Sequence, residues 1–374
     1  MTGSDLPIRV IRVSVLVLAR IAQAMGAALL TPQIFSLIQT HWEGTARRRA
    51  IGLYSMVLAL GVALGQVIGG LVVSADLFGL SWRPVFLLNL PIGAIALAVG
   101  PRLLPVSRVD EQARLDPGGV AVLTAAMAAI TVPLIFGRDL GWPVWVWISL
   151  ACGAALSVGF IRYENRARYP LLDMASVRPS GVKPGLVACW TIMGCYTVFL
   201  LTLTLHLQTA LGYSPLRAGL AFVPYALGFG ALSLSWNRYL QWLQRALPIA
   251  GPIAFAVGAS LLVLFCRDQW QPVVATPLLL LAGAGHAAGY SPLIALITSL
   301  VEPRLASAIS ALNSTGPVLA GVTAVAGLGS VYFAAPSSAA GLVRVVFAVA
   351  VLLVGGVTCA IRVALTGRSV DRTV

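Results

Sequence analysis

The chain has 374 residues, 59% hydrophobic and only 10% charged, with a mean hydropathy of +0.91. That balance excludes an ordinary soluble domain, and repeated apolar runs of about 18 residues or more read as transmembrane helices. The net charge of +13 does not point to nucleic acid, because the basic residues sit in short loops between apolar runs, where membrane orientation places them.

Eleven spans are expected, at roughly 13–38, 50–74, 84–104, 118–136, 143–161, 185–206, 217–237, 246–265, 274–297, 304–333 and 342–363. The fold class is therefore all-α, a polytopic membrane protein. Tryptophans gather near the run ends (Trp42, Trp82, Trp142, Trp145, Trp190, Trp236, Trp242, Trp270), as an interfacial aromatic belt would place them. The polar stretch Arg162 to Pro184 separates five spans from six. This predicts a first bundle over 1–161, a cytoplasmic linker over 162–184, a second bundle of six helices over 185–363 and a cytoplasmic tail over 364–374.

The first two spans carry the most informative residues. Arg20 lies inside the first apolar run with Gln23 three residues on, so the two share a helix face. A cation at that depth costs enough to mark a functional candidate, with a carbonyl-satisfied structural role as the alternative. After the basic loop Arg47–Arg49, the second run holds Gly61, Gly65, Gly69 and Gly70. Their spacing predicts a face that a second helix approaches closely.

Of the Lys and Arg residues, seventeen fall on one side of the predicted membrane and seven on the other, with Arg20 embedded. The rich side is read as cytoplasmic, which puts the C-terminus inside and, with eleven spans, the N-terminus outside. The five cysteines form no C-x-x-C pair and read as small buried hydrophobes. No metal site or cofactor is expected. His286, in a glycine-rich span, either titrates or contacts substrate, or is a neutral core histidine. His206, at a span end, reads as interfacial. Asn89 precedes Pro91 and is expected to cap the backbone groups that the proline frees. Tyr54, Met56, Tyr196, Phe199 and Tyr225 are candidates either for a substrate cavity or for ordinary core. Asn313-Ser314-Thr315 matches a glycosylation acceptor but lies inside an apolar span and is set aside.

Several segments resemble one known family. Arg20, Gln23 and Gly26, the loop Arg47–Arg49 and the run Gly61-x-x-x-Gly65-Gln66-x-x-Gly69-Gly70 are similar to the major facilitator superfamily, and more narrowly to its fourteen-helix drug/proton antiporter branch. Further similar segments are Trp82-Arg83-Pro84 through Asn89-Leu90-Pro91-Ile92-Gly93, Leu115-Asp116-x-x-Gly119, Gly141-Trp142-Pro143, and Gly212-Tyr213-Ser214-Pro215-Leu216-Arg217-Ala218-Gly219 with Pro224.

The resemblance implies a major-facilitator-like bundle exporting small amphipathic molecules against protons. It also assigns proton coupling or gating to Arg20, Gln23, Gly61, Gly65, Gln66, Gly69 and Gly70. Asn89, Tyr196 and His286 are cavity candidates by residue type and position. Three departures bear on this. The first three of fourteen spans have no counterpart, so a truncated product is the simplest explanation. Gln66 stands where the antiporter motif carries proline. No Asp or Glu sits near the middle of a span. The expected partners are a small molecule, protons and the lipid bilayer, not nucleic acid. A non-transporting remnant or partner subunit remains the alternative. An enzyme is not expected, since no H-E-x-x-H or intramembrane carboxylate pair occurs.

Overall fold

The computed structural model describes residues 15–370, apart from 16–17, 28, 31–32, 35–36, 39–40, 77–78, 80–82, 104–115, 139, 168–172 and 303–304. Trp82, Leu115, the first residues of the first span and the last residues of the tail lie outside the described residues, as do the side chains of Arg48 and Gln66. Thirteen helices are described: α1 (residues 18–27), α2 (Gly44–Ser74), α3 (Pro84–Leu87), α4 (Asn89–Leu103), α5 (Pro117–Phe136), α6 (Val144–Glu164), α7 (Val182–Thr209), α8 (Pro215–Ala221), α9 (Val223–Ser235), α10 (Gln241–Cys266), α11 (Pro272–Ser299), α12 (Ala306–Phe333) and α13 (Ser338–Val370). Among the described residues, nine helical segments are long and apolar enough to cross a membrane. With 31 residues, α2 has the length as well.

Two spans that read as single runs are each broken into two helices. Pro91 has no N–H to donate to Leu87, and the chain turns at Leu88 between α3 and α4. Pro224 likewise leaves Leu220 without its donor, and α8 gives way to α9 at Phe222. Asn89 does not repair the first break. It is exposed, and its side chain makes no hydrogen bond among the described residues.

The loop motifs have local causes. Asp116 accepts from the Gly119 N–H at 2.9 Å ahead of Pro117, and Ser214 accepts from the Arg217 N–H at 3.3 Å ahead of Pro215. Each is a side-chain cap followed by a proline in the first turn, where its missing N–H costs nothing. Between α5 and α6, Gly141 and Trp142 both take positive φ, +71° and +55°. Glycine tolerates that region and tryptophan does not, and the Trp142 N–H is held by the Gly137 carbonyl at 2.7 Å.

The main hydrophobic core is built by α7 to α13 around Phe199, Phe255, Leu279, Leu293 and Ile294, with Ile51 of α2 and Ile38 joining it. α7 packs on α12 and α13, α10 on α11 and α13, and α9 on α11. Association inside a bilayer relies on close packing rather than on the hydrophobic effect, so small residues sit at the crossings. A Cβ on Gly283 would overlap the Tyr225 carbonyl of α9, and one on Gly316 would overlap the Trp190 indole of α7. α5 and α6 form a pair that touches α12, while α2 lies along α8 and α9. Trp236 departs from the aromatic-belt expectation, being 3% exposed within the bundle, whereas Trp42, Trp145 and Trp242 are exposed.

Candidate functional site

Arg20 and Gln23 meet as their spacing predicts. Arg20 Nη1 donates to Gln23 Oε1 at 2.6 Å, and the guanidinium carbon lies 4.2 Å above the Phe86 ring of α3. The arginine thus has a hydrogen-bond acceptor and a π face, two ways of holding a cation in apolar surroundings. Both residues are exposed rather than enclosed.

On α2 the helical approach occurs on a different face from the one the motif suggests. Gly61, Gly65 and Gly69 have no described atom within 4 Å of where a Cβ would stand. A Cβ on Gly52 would instead overlap the Ser233 carbonyl of α9, and one on Gly70 would lie 2.7 Å from the Pro215 carbonyl of α8. The reason is angular. Gly52 and Gly70 are 18 residues apart, which at about 100° per residue is five whole turns, so they share a face. Gly61 falls midway and points to the opposite side. Met56, also on the contacting side, approaches Gly230 of α9.

His286 stands at the centre of an aromatic cluster. Gly283 and Gly285 bring α11 against the backbones of α9 and α10, which sets the imidazole among Tyr196, Tyr225, Phe229 and Phe255. The Tyr196 and Phe229 ring centroids are each 4.7 Å away. With the neutral ring's proton on Nε2, Tyr225 O–H donates to Nδ1 at 2.8 Å and Nε2–H donates to Met193 Sδ at 3.3 Å. His286 is 2% exposed. Every polar atom of the pair is satisfied in the neutral form, so one ring holds α7, α9 and α10 against α11.

A cavity of about 690 Å³ opens elsewhere, between α5, α7 and α12. Leu134, Ile135 and Arg138 line it from α5 and its end, Met193 and Leu201 from α7, and Val322 from α12. Asn89, Tyr196 and His286, the expected cavity residues, do not line it. Met193 belongs both to the cavity wall and to the His286 cluster. Arg138, the charged lining residue, lies with its guanidinium carbon 4.3 Å from the Phe333 ring centroid. Nothing local in the sequence links these two distant residues, and sequence reasoning counted Arg138 only as a loop charge.

Two polar clusters were also missed. Glu164, read as part of the polar linker, is 3% exposed. Glu164 Oε1 and Asp116 Oδ2 both lie close to where a Cβ on Gly119 would stand, and Tyr163 O–H donates to Asp116 at 3.0 Å. His206 is 1% exposed rather than interfacial. Its Nε2 donates to the Arg267 carbonyl at 2.7 Å and its Nδ1 meets Ser338 Oγ at 2.9 Å, joining the ends of α7, α10 and α13.

A family model described as Major Facilitator Superfamily matches residues 7–325. The chain is 31% identical to a probable actinorhodin transporter of Streptomyces coelicolor, over 84% of this chain and 56% of that protein. It is 30% identical to the drug efflux pump JefA of Mycobacterium tuberculosis, over 86% of this chain and 63% of that protein. It is 32% identical to the cephamycin export protein CmcT of Amycolatopsis lactamdurans, over 80% of this chain and 62% of that protein. The chain therefore spans less than two thirds of the length of each of these relatives.

Proposed function

Because the chain belongs to the major facilitator superfamily, we propose that it takes part in proton-driven export of small amphipathic molecules across the cell membrane. The similarity to three proteins named for transport, efflux or export supports the direction. The single structural observation carrying the reading is the seat of α2 on α8 and α9 through Gly52 and Gly70. It joins a helix of the first five spans to the last six, and an interface of that kind is where two halves rock in alternating access.

In this reading Arg20 and Gln23 bias the proton-coupled step, and the face bearing Gly61, Gly65, Gln66 and Gly69 belongs to the gate. Gly70 seats the same helix on α8. The arginine-rich loops face the cytoplasm, and the C-terminus lies inside. The halves are 1–161 and 185–363, joined by a cytoplasmic segment over 162–184.

The test is dye efflux from cells expressing this chain, set against Arg20→Ala and an empty vector, each with and without a protonophore. Efflux above the empty vector that collapses with the protonophore and drops in Arg20→Ala supports the reading. Efflux equal to the empty vector, with membrane insertion confirmed, overturns it and leaves a non-transporting membrane protein.

A further inference from the structure

We propose that the cavity between α5, α7 and α12 is a binding site for one anionic phospholipid, with its phosphate on Arg138 and an acyl chain lying along α12. The cavity has the volume of a small-molecule site, about 690 Å³, but its form is elongated. Its α12 wall runs from Pro317 to Phe333, 16 residues or about 24 Å at the helical rise. Such a trough fits an extended hydrocarbon chain better than a compact molecule.

The lining is apolar except at one end. The Thr197 and Ser330 hydroxyls are already committed to the Met193 and Ala326 carbonyls of their own helices, at 2.8 and 2.7 Å. No carboxylate lines the wall, so a cationic guest would meet only Arg138 and be repelled. Arg138 lies against Phe333 through its guanidinium, which makes no hydrogen bond or ion pair to any described residue. Packing against a ring leaves the guanidinium edge N–H groups directed outward, and these match the oxygens of a phosphate. The residue lies just past Gly137, the C-cap of α5, at a helix end where a membrane crossing meets the headgroups. Head and tail positions thus agree with a lipid standing in the bilayer.

The experiment is native mass spectrometry of the purified chain in neutral detergent, with phosphatidylglycerol and phosphatidylcholine of identical acyl chains supplied together. Retention of one phosphatidylglycerol, about tenfold preferred over phosphatidylcholine as one charge-assisted contact allows, is expected. Arg138→Gln removes the preference, Arg138→Lys retains part of it, and Val322→Trp, which fills the trough, abolishes retention of both lipids. Melting temperature in detergent, followed for each variant, shows that the fold persists. Equal retention of the two lipids overturns the proposal, and so does an undiminished preference in folded Arg138→Gln. Binding of a free fatty acid that depends on Arg138, with no phosphatidylglycerol retained, overturns it too, because the occupant is then a soluble acid. None of these outcomes depends on transport activity.

Discussion

Replacing Gly70 by alanine tests where α2 bears on the rest of the bundle. The new Cβ would stand 2.7 Å from the Pro215 carbonyl oxygen and 2.8 Å from Leu216 Cα. Ordinary contact begins near 3.4 Å, so α2 and α8 must separate by about 0.7 Å (3.4 less 2.7). Both obstructing atoms are backbone and cannot rotate aside. Overpacking of that kind costs roughly 1–3 kcal/mol. Gly61→Ala and Gly65→Ala meet no described atom, and each gains roughly 0.5–1 kcal/mol of helix propensity in an α2 interior. Thermal melting of the three purified variants in one detergent should therefore place Gly70→Ala below the parent, and the other two level with it or above. If Gly70→Ala melts with the parent while Gly61→Ala or Gly65→Ala falls, α2 rests on its other face and the angular argument fails.

Two further outcomes follow from the buried polar groups. Tyr225→Phe leaves His286 Nδ1 without its donor and should lower stability by about 1–3 kcal/mol, whereas the double variant Tyr225→Phe, His286→Phe should be less destabilised than the single changes sum to, as a double-mutant cycle in detergent would measure. Asp116→Ala removes the α5 cap and the acceptor of Tyr163, at about 0.5–2 kcal/mol for the cap alone. Its effect should appear as faster hydrogen exchange confined to the first turn of α5 and the end of α6, and uniform exchange along α5 would refute the capping role.

The spans from the second onward were legible because apolar length alone marks them, and the Arg20–Gln23 bond because three-residue spacing fixes it. The proline breaks at Pro91 and Pro224 were visible as residues, but Asn89 was given a capping role that its exposed position does not support. Of the glycines singled out on α2, Gly70 meets another helix, whereas Gly61, Gly65 and Gly69 meet no described atom within 4 Å. Gly61, Gly65 and Gly69 repeat every four residues and attract the eye, whereas Gly52 and Gly70 repeat only after 18 and look unrelated until wound onto a helix. Likewise the sequence showed His286 among glycines without showing that those glycines draw α9 and α10 around it. Glu164 and His206 lie at span ends, where hydropathy changes sign and burial cannot be read. The Arg138 cavity depends on residues from three separate helices, and no local pattern encodes it.

The two seats of α2 have a mechanical meaning. Gly52 and Gly70 are about 27 Å apart along the helix, close to the thickness of the hydrocarbon layer, so α2 is held near both membrane surfaces. Sliding along its axis would carry a residue with a side chain into both seats at once, against the backbones of α9 and α8. Midway between the seats, on the opposite flank, no described atom of another helix lies within 4 Å of a Cβ on Gly61 or Gly65. The helix is therefore a beam seated at two points, stiff against translation along its axis.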